Sequence, residues 1–218
     1  MNRRTLCLAL VTGALVPPHH GWADDPDLLH PDPATRVPGL DGWWVQNGRP
    51  DVWRVTGNQI SCVGRGGGYL TRDRIYGDFE LTLAYRLPPA GNSGIGVHYP
   101  PGGHPSTTGI EIQLLDDTAP RYANLLPTQY NGAIYRLVPP RARAARAPGE
   151  WNEIVVRCQG ARILVRLNGV VIQDVDRDRF REPVGDLKPL AERPRRGCVG
   201  LQSHGDPVDF RDVTIRAL

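Results

Sequence analysis

The stretch Arg162-Ile163-Leu164-Val165-Arg166-Leu167-Asn168-Gly169-Val170-Val171-Ile172-Gln173-Asp174-Val175 sets two runs of branched apolar residues on either side of an Asn-Gly pair. Asn and Gly accept the positive φ values of a type I′ turn, whose twist matches that of paired strands. The segment is therefore predicted to be a tight antiparallel hairpin.

Outward from that hairpin, 25 glycines and 21 prolines punctuate the chain between short runs rich in Val, Ile, Leu and Tyr. No 3.6-residue periodicity of helical length appears. Strands are expected near residues 52–55, 59–62, 79–87, 94–99, 110–115, 133–135, 153–158, 162–167, 170–175, 198–202 and 208–217. Many short strands without intervening helices imply an all-β fold, two packed antiparallel sheets in a sandwich or jelly roll with a curved sheet. The segment Gly64-Arg65-Gly66-Gly67-Gly68-Tyr69 continues into strand instead of opening a helix, so it is read as a turn and not as a phosphate cradle.

The N-terminus reads as an export signal. Asn2-Arg3-Arg4 is basic, Leu6 to Val16 is apolar but too short to span a bilayer, and Gly21-Trp22-Ala23 offers small residues for cleavage. Residues 1–23 are assigned to a signal peptide, 24–39 to an extended arm carrying Pro26, Pro31, Pro33 and Pro38, and 40–218 to one domain. A periplasmic or secreted location follows, with no membrane anchor. Loss of the leader removes Arg3 and Arg4 but no acid, leaving a nearly neutral chain that lacks the clustered basic excess of a nucleic-acid binder. Cys62, Cys158 and Cys198 allow one disulfide plus a free thiol, or three buried thiols, and show no metal-type spacing. Lys188, the single lysine, lies in a Pro-rich stretch unsuited to Schiff-base chemistry.

Strand alternation singles out the candidate chemistry. In 109–116, Glu111 and Gln113 share one face while Ile110, Ile112 and Leu114 share the other; in 198–205, Gln202 and His204 fall together opposite Leu201. Such a face is either ordinary solvent-facing surface or a site in which a carboxylate and an imidazole act as an acid/base pair. In 91–98, Gly94, Gly96 and His98 share a face, where the glycines would leave room for a ligand. His98 near Glu111 would also allow a His/His/Glu metal site. The loops 100–108 and 139–148 stand out, the second carrying Arg141, Arg143 and Arg146, which either face solvent or rim an oxygen-rich ligand.

Taken in order, Gly66-Gly67-Gly68-Tyr69-Leu70, Tyr76-Gly77-Asp78-Phe79-Glu80-Leu81, Gly91-Asn92-Ser93-Gly94-Ile95, Gly109 to Asp116, Gly132-Ala133-Ile134-Tyr135, Pro148 to Asn152, Leu167-Asn168-Gly169 and Gly200 to Gly205 resemble the 3-keto-disaccharide hydrolase domain family. That family is related to concanavalin- and laminin-G-like sandwiches, and the resemblance spans roughly residues 40–218. It implies action on glycosides already oxidised at the sugar C3 by a separate oxidoreductase. A 3-ketone acidifies the C2 hydrogen, so a base can remove it, expel the C1 substituent and let water add back. In this reading Glu111 or His204 is the base, with the other group or His98 assisting the leaving oxygen. Gln113 and Gln202 bind hydroxyls or the enolate oxygen, and Asn92, Tyr135, His98 and Arg86 complete the substrate-binding candidates. A divalent metal on Glu111 and His204 is the competing use of the same residues. The chain departs from the family at His98, where an arginine is usual, and at Arg136, where a glycine is usual.

Two rival readings stay open. A non-catalytic, lectin-like carbohydrate-binding module shares this fold, with Trp43 and Trp44 available to stack on sugar rings and Trp53 and Trp151 placed where core burial is expected. A two-acid glycoside hydrolase would pair Glu111 with Asp116, although their parity on one strand is opposite.

Overall fold

The computed structural model describes residues 27–66 and 68–218. The leader assignment and the first residues of the arm lie outside these. The strands in chain order are β1 (Trp43–Gln46), β2 (Trp53–Thr56), β3 (Gln59–Cys62), β4 (Tyr69–Arg72), β5 (Phe79–Arg86), β6 (Asn92–Tyr99), β7 (Ile110–Leu115), β8 (Asn152–Gln159), β9 (Arg162–Leu167), β10 (Val170–Asp176), β11 (Cys198–Gln202) and β12 (Val208–Ala217), with a single α-helical turn among the described residues, α1 (Pro105–Thr108), and several 3-10 turns in the loops. They form a five-stranded sheet in the order β1-β4-β11-β6-β7 and a seven-stranded sheet in the order β10-β9-β8-β5-β12-β3-β2. Every strand pairing is antiparallel, giving the expected all-β sandwich.

The hairpin that decides the fold is β9–β10. Its turn residues Asn168 and Gly169 have φ values of 48° and 84°, as a type I′ turn requires. Asn168 also receives the Glu153 amide on its side-chain oxygen at 2.9 Å and donates to the Ala144 carbonyl at 2.8 Å, anchoring the hairpin to its neighbours.

Alternation then builds the core. Leu81, Leu83, Ile154, Val156, Ile163 and Val165 of the larger sheet pack with Leu70, Ile95, Val97, Ile112, Leu114, Val199 and Leu201 of the smaller one in one hydrophobic cluster. Cys62, Cys158 and Cys198 are all buried and free, so the three-thiol alternative is the one the structure takes. Burial pushes the Cys158 and Cys198 thiols up to about 12, which leaves them unreactive.

The local structure departs from the expected elements in three places. Residues 133–135 are no strand; Ile134 makes isolated bridges to Ile112 and Val138 because the chain turns at Arg136, whose φ is 62°. β1 is a strand although Trp-Trp-Val-Gln shows no clean alternation. The loop 100–108 contains α1, started by Pro105, whose missing N–H costs nothing at that position. The described part of the N-terminal arm bridges to the body, Leu28 to Arg74 and Arg36 to Trp44.

Gly169 has no atom within 4 Å of where a Cβ would stand, so Gly169→Ala carries a purely backbone cost. A loss of about 1 kcal/mol is expected, read as a lower denaturant midpoint at unchanged slope; an unaltered midpoint would contradict the turn assignment.

Candidate active site

With the apolar residues of the five-stranded sheet facing the core, alternation sends the intervening side chains to its outer face. The strand registers align these into two rows. One runs Trp44, Thr71, Gly200, Gly96, Glu111, and the next runs Gln46, Tyr69, Gln202, Gly94, Gln113. Residues 133–135 extend both rows beyond β7, since the Tyr135 amide donates to the Glu111 carbonyl and the Gln113 amide to the Ala133 carbonyl.

This face is not ordinary solvent-facing surface: Glu111, Gln113 and Gln202 are 4%, 4% and 5% exposed. The Glu111 side chain leans across Gly94. Its Oε1 accepts from Gln202 Nε2 at 3.0 Å and its Oε2 accepts from the Tyr69 hydroxyl at 3.1 Å, while Gln202 Nε2 also donates to the Tyr69 oxygen at 2.7 Å. Burial raises the Glu111 pKa to about 7, with the bonds from Tyr69 and Gln202 acting in the opposite sense. Beside this triangle, Gln113 Nε2 donates to Asn92 Oδ1 at 3.1 Å.

The glycines serve a different purpose from the one expected. A Cβ on Gly94 would stand 2.8 Å from Glu111 Oε1 and 3.2 Å from Gln202 Oε1, one on Gly96 would strike Pro105, and one on Gly200 would lie 2.2 Å from the Tyr99 hydroxyl. The glycines thus make room for neighbouring side chains and do not leave an open floor.

Several predicted residues are placed elsewhere. His98 is the extra residue of a β-bulge, with φ of 53°, opposite the shift between Cys198 and Val199. The bulge flips the parity of the strand end. His98 turns away from Glu111, its Nε2 lies 2.8 Å from the Gly77 carbonyl, and its ring meets Phe79 edge-on at 5.4 Å. Burial lowers its pKa to about 4, so it is a neutral core histidine. Tyr99 takes the outer-face place instead, its hydroxyl 2.7 Å from Thr71 Oγ1. His204 lies beyond the end of β11, exposed on the following turn. Arg86 belongs to the other sheet, paired with Asp209 at 2.7 Å and stacked on Trp151. Arg141, Arg143 and Arg146 are likewise engaged, with the Asp174 carbonyl, the Tyr130 ring and the Trp151 carbonyl. Asp116 is held by the Ala90 amide and the Thr118 hydroxyl at the far end of β7, so it forms no acid pair with Glu111.

Two residues escaped the sequence reading. Tyr69 completes the triangle, and its signal was the Tyr69/Leu70/Thr71 alternation after the glycine run. His104 stands just before α1 with its ring edge-on to Tyr69 at 5.4 Å and its Nδ1 2.9 Å from the Ser106 hydroxyl. Its pKa is held below the ordinary imidazole value by desolvation and, behind that, by the charge of His204. Arg193 pins this cover, donating to the Gly109 and Ser106 carbonyls at 3.0 and 3.3 Å.

The donor set does not fit a divalent cation. Glu111 is joined by a phenol and a carboxamide, and among the described residues no three His, Cys, Asp or Glu side chains converge on a point. The His/His/Glu arrangement is not assembled because the bulge turns His98 into the core.

The family described as a 3-keto-alpha-glucoside-1,2-lyase-like domain matches residues 38–216. A 3-keto-disaccharide hydrolase of Bacteroides thetaiotaomicron is 24% identical over 219 residues, covering 82% of this chain and 75% of that protein. The crystal structure of a candidate glycosyl hydrolase from Parabacteroides distasonis superposes with a TM-score of 0.71 at 30% identity, covering 79% of this chain and 94% of that one. A Bacillus subtilis carbohydrate-binding module, CBM66, superposes at 0.52 with 13% identity over 82% of this chain and 98% of its own, a likeness of fold alone.

Because the Glu111 pKa is raised from 4.5 to about 7, the stability this group contributes is fully present below pH 4.5 and lost as pH rises through 7. Denaturant titration should show the stability of the wild type falling relative to Glu111→Gln across that window by up to about 3 kcal/mol. A pH-independent difference would mean that the carboxylate is not buried as described.

Proposed function

The chain belongs to the 3-keto-alpha-glucoside-1,2-lyase-like domain family, and from that premise we propose that it cleaves 3-keto-glycosides with Glu111 as the base. The observation that carries this reading is the Glu111 carboxylate itself, buried, held by Tyr69 and Gln202 and poised near neutrality. A base of that pKa is matched to proton abstraction at neutral pH.

In the proposed course, the C3 ketone draws electron density from C2 and Glu111 takes the C2 proton. The electron pair moves to the C3 oxygen as an enolate, then returns to form the C1–C2 double bond as the C1–O bond breaks. The leaving oxygen takes a proton at the rim, where His204 is an exposed imidazole. Water then adds to C1 and a proton returns to C2, so the sum is hydrolysis. Tyr69 and Gln202 hold the carboxylate in place, and Gln113 and Asn92 are the carboxamides positioned to meet hydroxyls or the enolate oxygen. On this reading a separate oxidoreductase supplies the ketone, and residues 1–23, taken as an export leader, put the work outside the cytoplasm.

Glu111→Gln should lower kcat/KM on a 3-keto-disaccharide by about 10²-fold or more in a protein with an unchanged circular dichroism spectrum. The wild-type rate should rise with pH through about 7 as Glu111 loses its proton. Tyr69→Phe removes a bond that lowers the Glu111 pKa, so it should shift that limb to higher pH. A folded wild type that binds the sugar without releasing product would instead support the carbohydrate-binding module.

A further inference from the structure

Three buried polar atoms on the outer face of the five-stranded sheet have no hydrogen-bond partner within the chain: Gln46 Oε1, Gln202 Oε1 and Trp44 Nε1. Buried carboxamides and indoles are ordinarily satisfied, and each exception calls for an explanation. These three fall on the two adjacent rows that also carry Glu111 and Tyr69. Gln202 Oε1 stands beside Glu111 Oε1 over Gly94, so it belongs with the Glu111 site already described. Gln46 and Trp44 lie two strands further, on β1. At the usual strand spacing that is roughly 10 Å from β11, beyond the reach of a single sugar ring seated at Glu111.

The geometry points to a second subsite on β1, at Gln46 and Trp44, that takes the leaving unit of the glycoside as a second polyhydroxylated ring. Gln46 Oε1 would accept from a ring hydroxyl and the Trp44 indole N–H would donate to one. The inference rests on the function proposed above and narrows it, since a chain with this subsite favours disaccharides over glycosides of small apolar alcohols. The cover over Gln46 is consistent with such use. Gln46 Nε2 donates to the Gly103 carbonyl at 2.6 Å, and Asn47 Nδ2 reaches the Gly102 carbonyl at 3.4 Å. The side chain that would meet the ring therefore also latches the 100–103 turn, and Gly102, with φ of 78° and open space around it, gives that turn a point at which to lift as the ring enters.

Calorimetry in the Glu111→Gln background, where turnover is suppressed, separates this subsite from the chemistry. The two ligands are a 3-keto-disaccharide and the methyl 3-keto-glucoside that shares its oxidised ring. Adding Gln46→Met, which keeps the volume and drops the polar atoms, should weaken the disaccharide roughly tenfold, the worth of one hydrogen bond, and leave the methyl glycoside within twofold. Trp44→Phe should act in the same direction and serves if Gln46→Met fails to fold. Equal weakening of both ligands, no weakening of either, or no binding of the disaccharide would overturn the subsite. Failure of the proposed reaction would show separately, as wild-type protein that binds the disaccharide with this preference yet releases no product.

Discussion

One constraint governs the structure: a carboxylate has been taken out of water on the outer face of a sheet whose inner face is the core. Desolvation alone would drive Glu111 toward its neutral form. The Tyr69 hydroxyl and the Gln202 amide oppose that by donating to both carboxylate oxygens. The balance leaves a group that gains or loses a proton near neutral pH, which is what an acid/base catalyst requires. Everything around it serves that seat. Gly94 has no side chain because Glu111 lies over it, and β4, β11 and β6 are neighbours in the sheet so that residues far apart in sequence meet.

Much of this was legible in the chain. The Asn-Gly hairpin follows from turn chemistry, and the alternation in 110–115 and 198–202 correctly separates core residues from the outer face. Glu111, Gln113 and Gln202 come together because strand parity carries through both strands. It fails where the strand is irregular. His98 is a bulge residue, and one inserted residue exchanges the faces, sending His98 inward and Tyr99 outward. His204 leaves the strand face because β11 ends at Gln202. Parity within a strand is a local property, but its extent and its interruptions are set by pairing partners that a single sequence does not display.

The residues that escaped share a cause. Tyr69 and His104 join the site through sheet order and through the fold-back of the 100–109 segment, both long-range facts. The glycines were legible as special positions, though not which neighbour each one admits. The same sandwich carries a carbohydrate-binding module with 13% identity, so the architecture does not choose between binding and cleavage. In this chain the reading of cleavage rests on Glu111, a carboxylate buried and paired on the sheet face.

The most direct test of the central claim is to follow cleavage of a 3-keto-disaccharide in deuterium oxide by NMR. Removal of the C2 proton and its return from solvent predict that the released 3-keto sugar carries deuterium at C2, above the uncatalysed exchange, and that Glu111→Gln abolishes both release and labelling. Release of a product that keeps its original hydrogen at C2 would contradict the account, since it would mean that the glycosidic bond breaks without Glu111 acting as a carbon base.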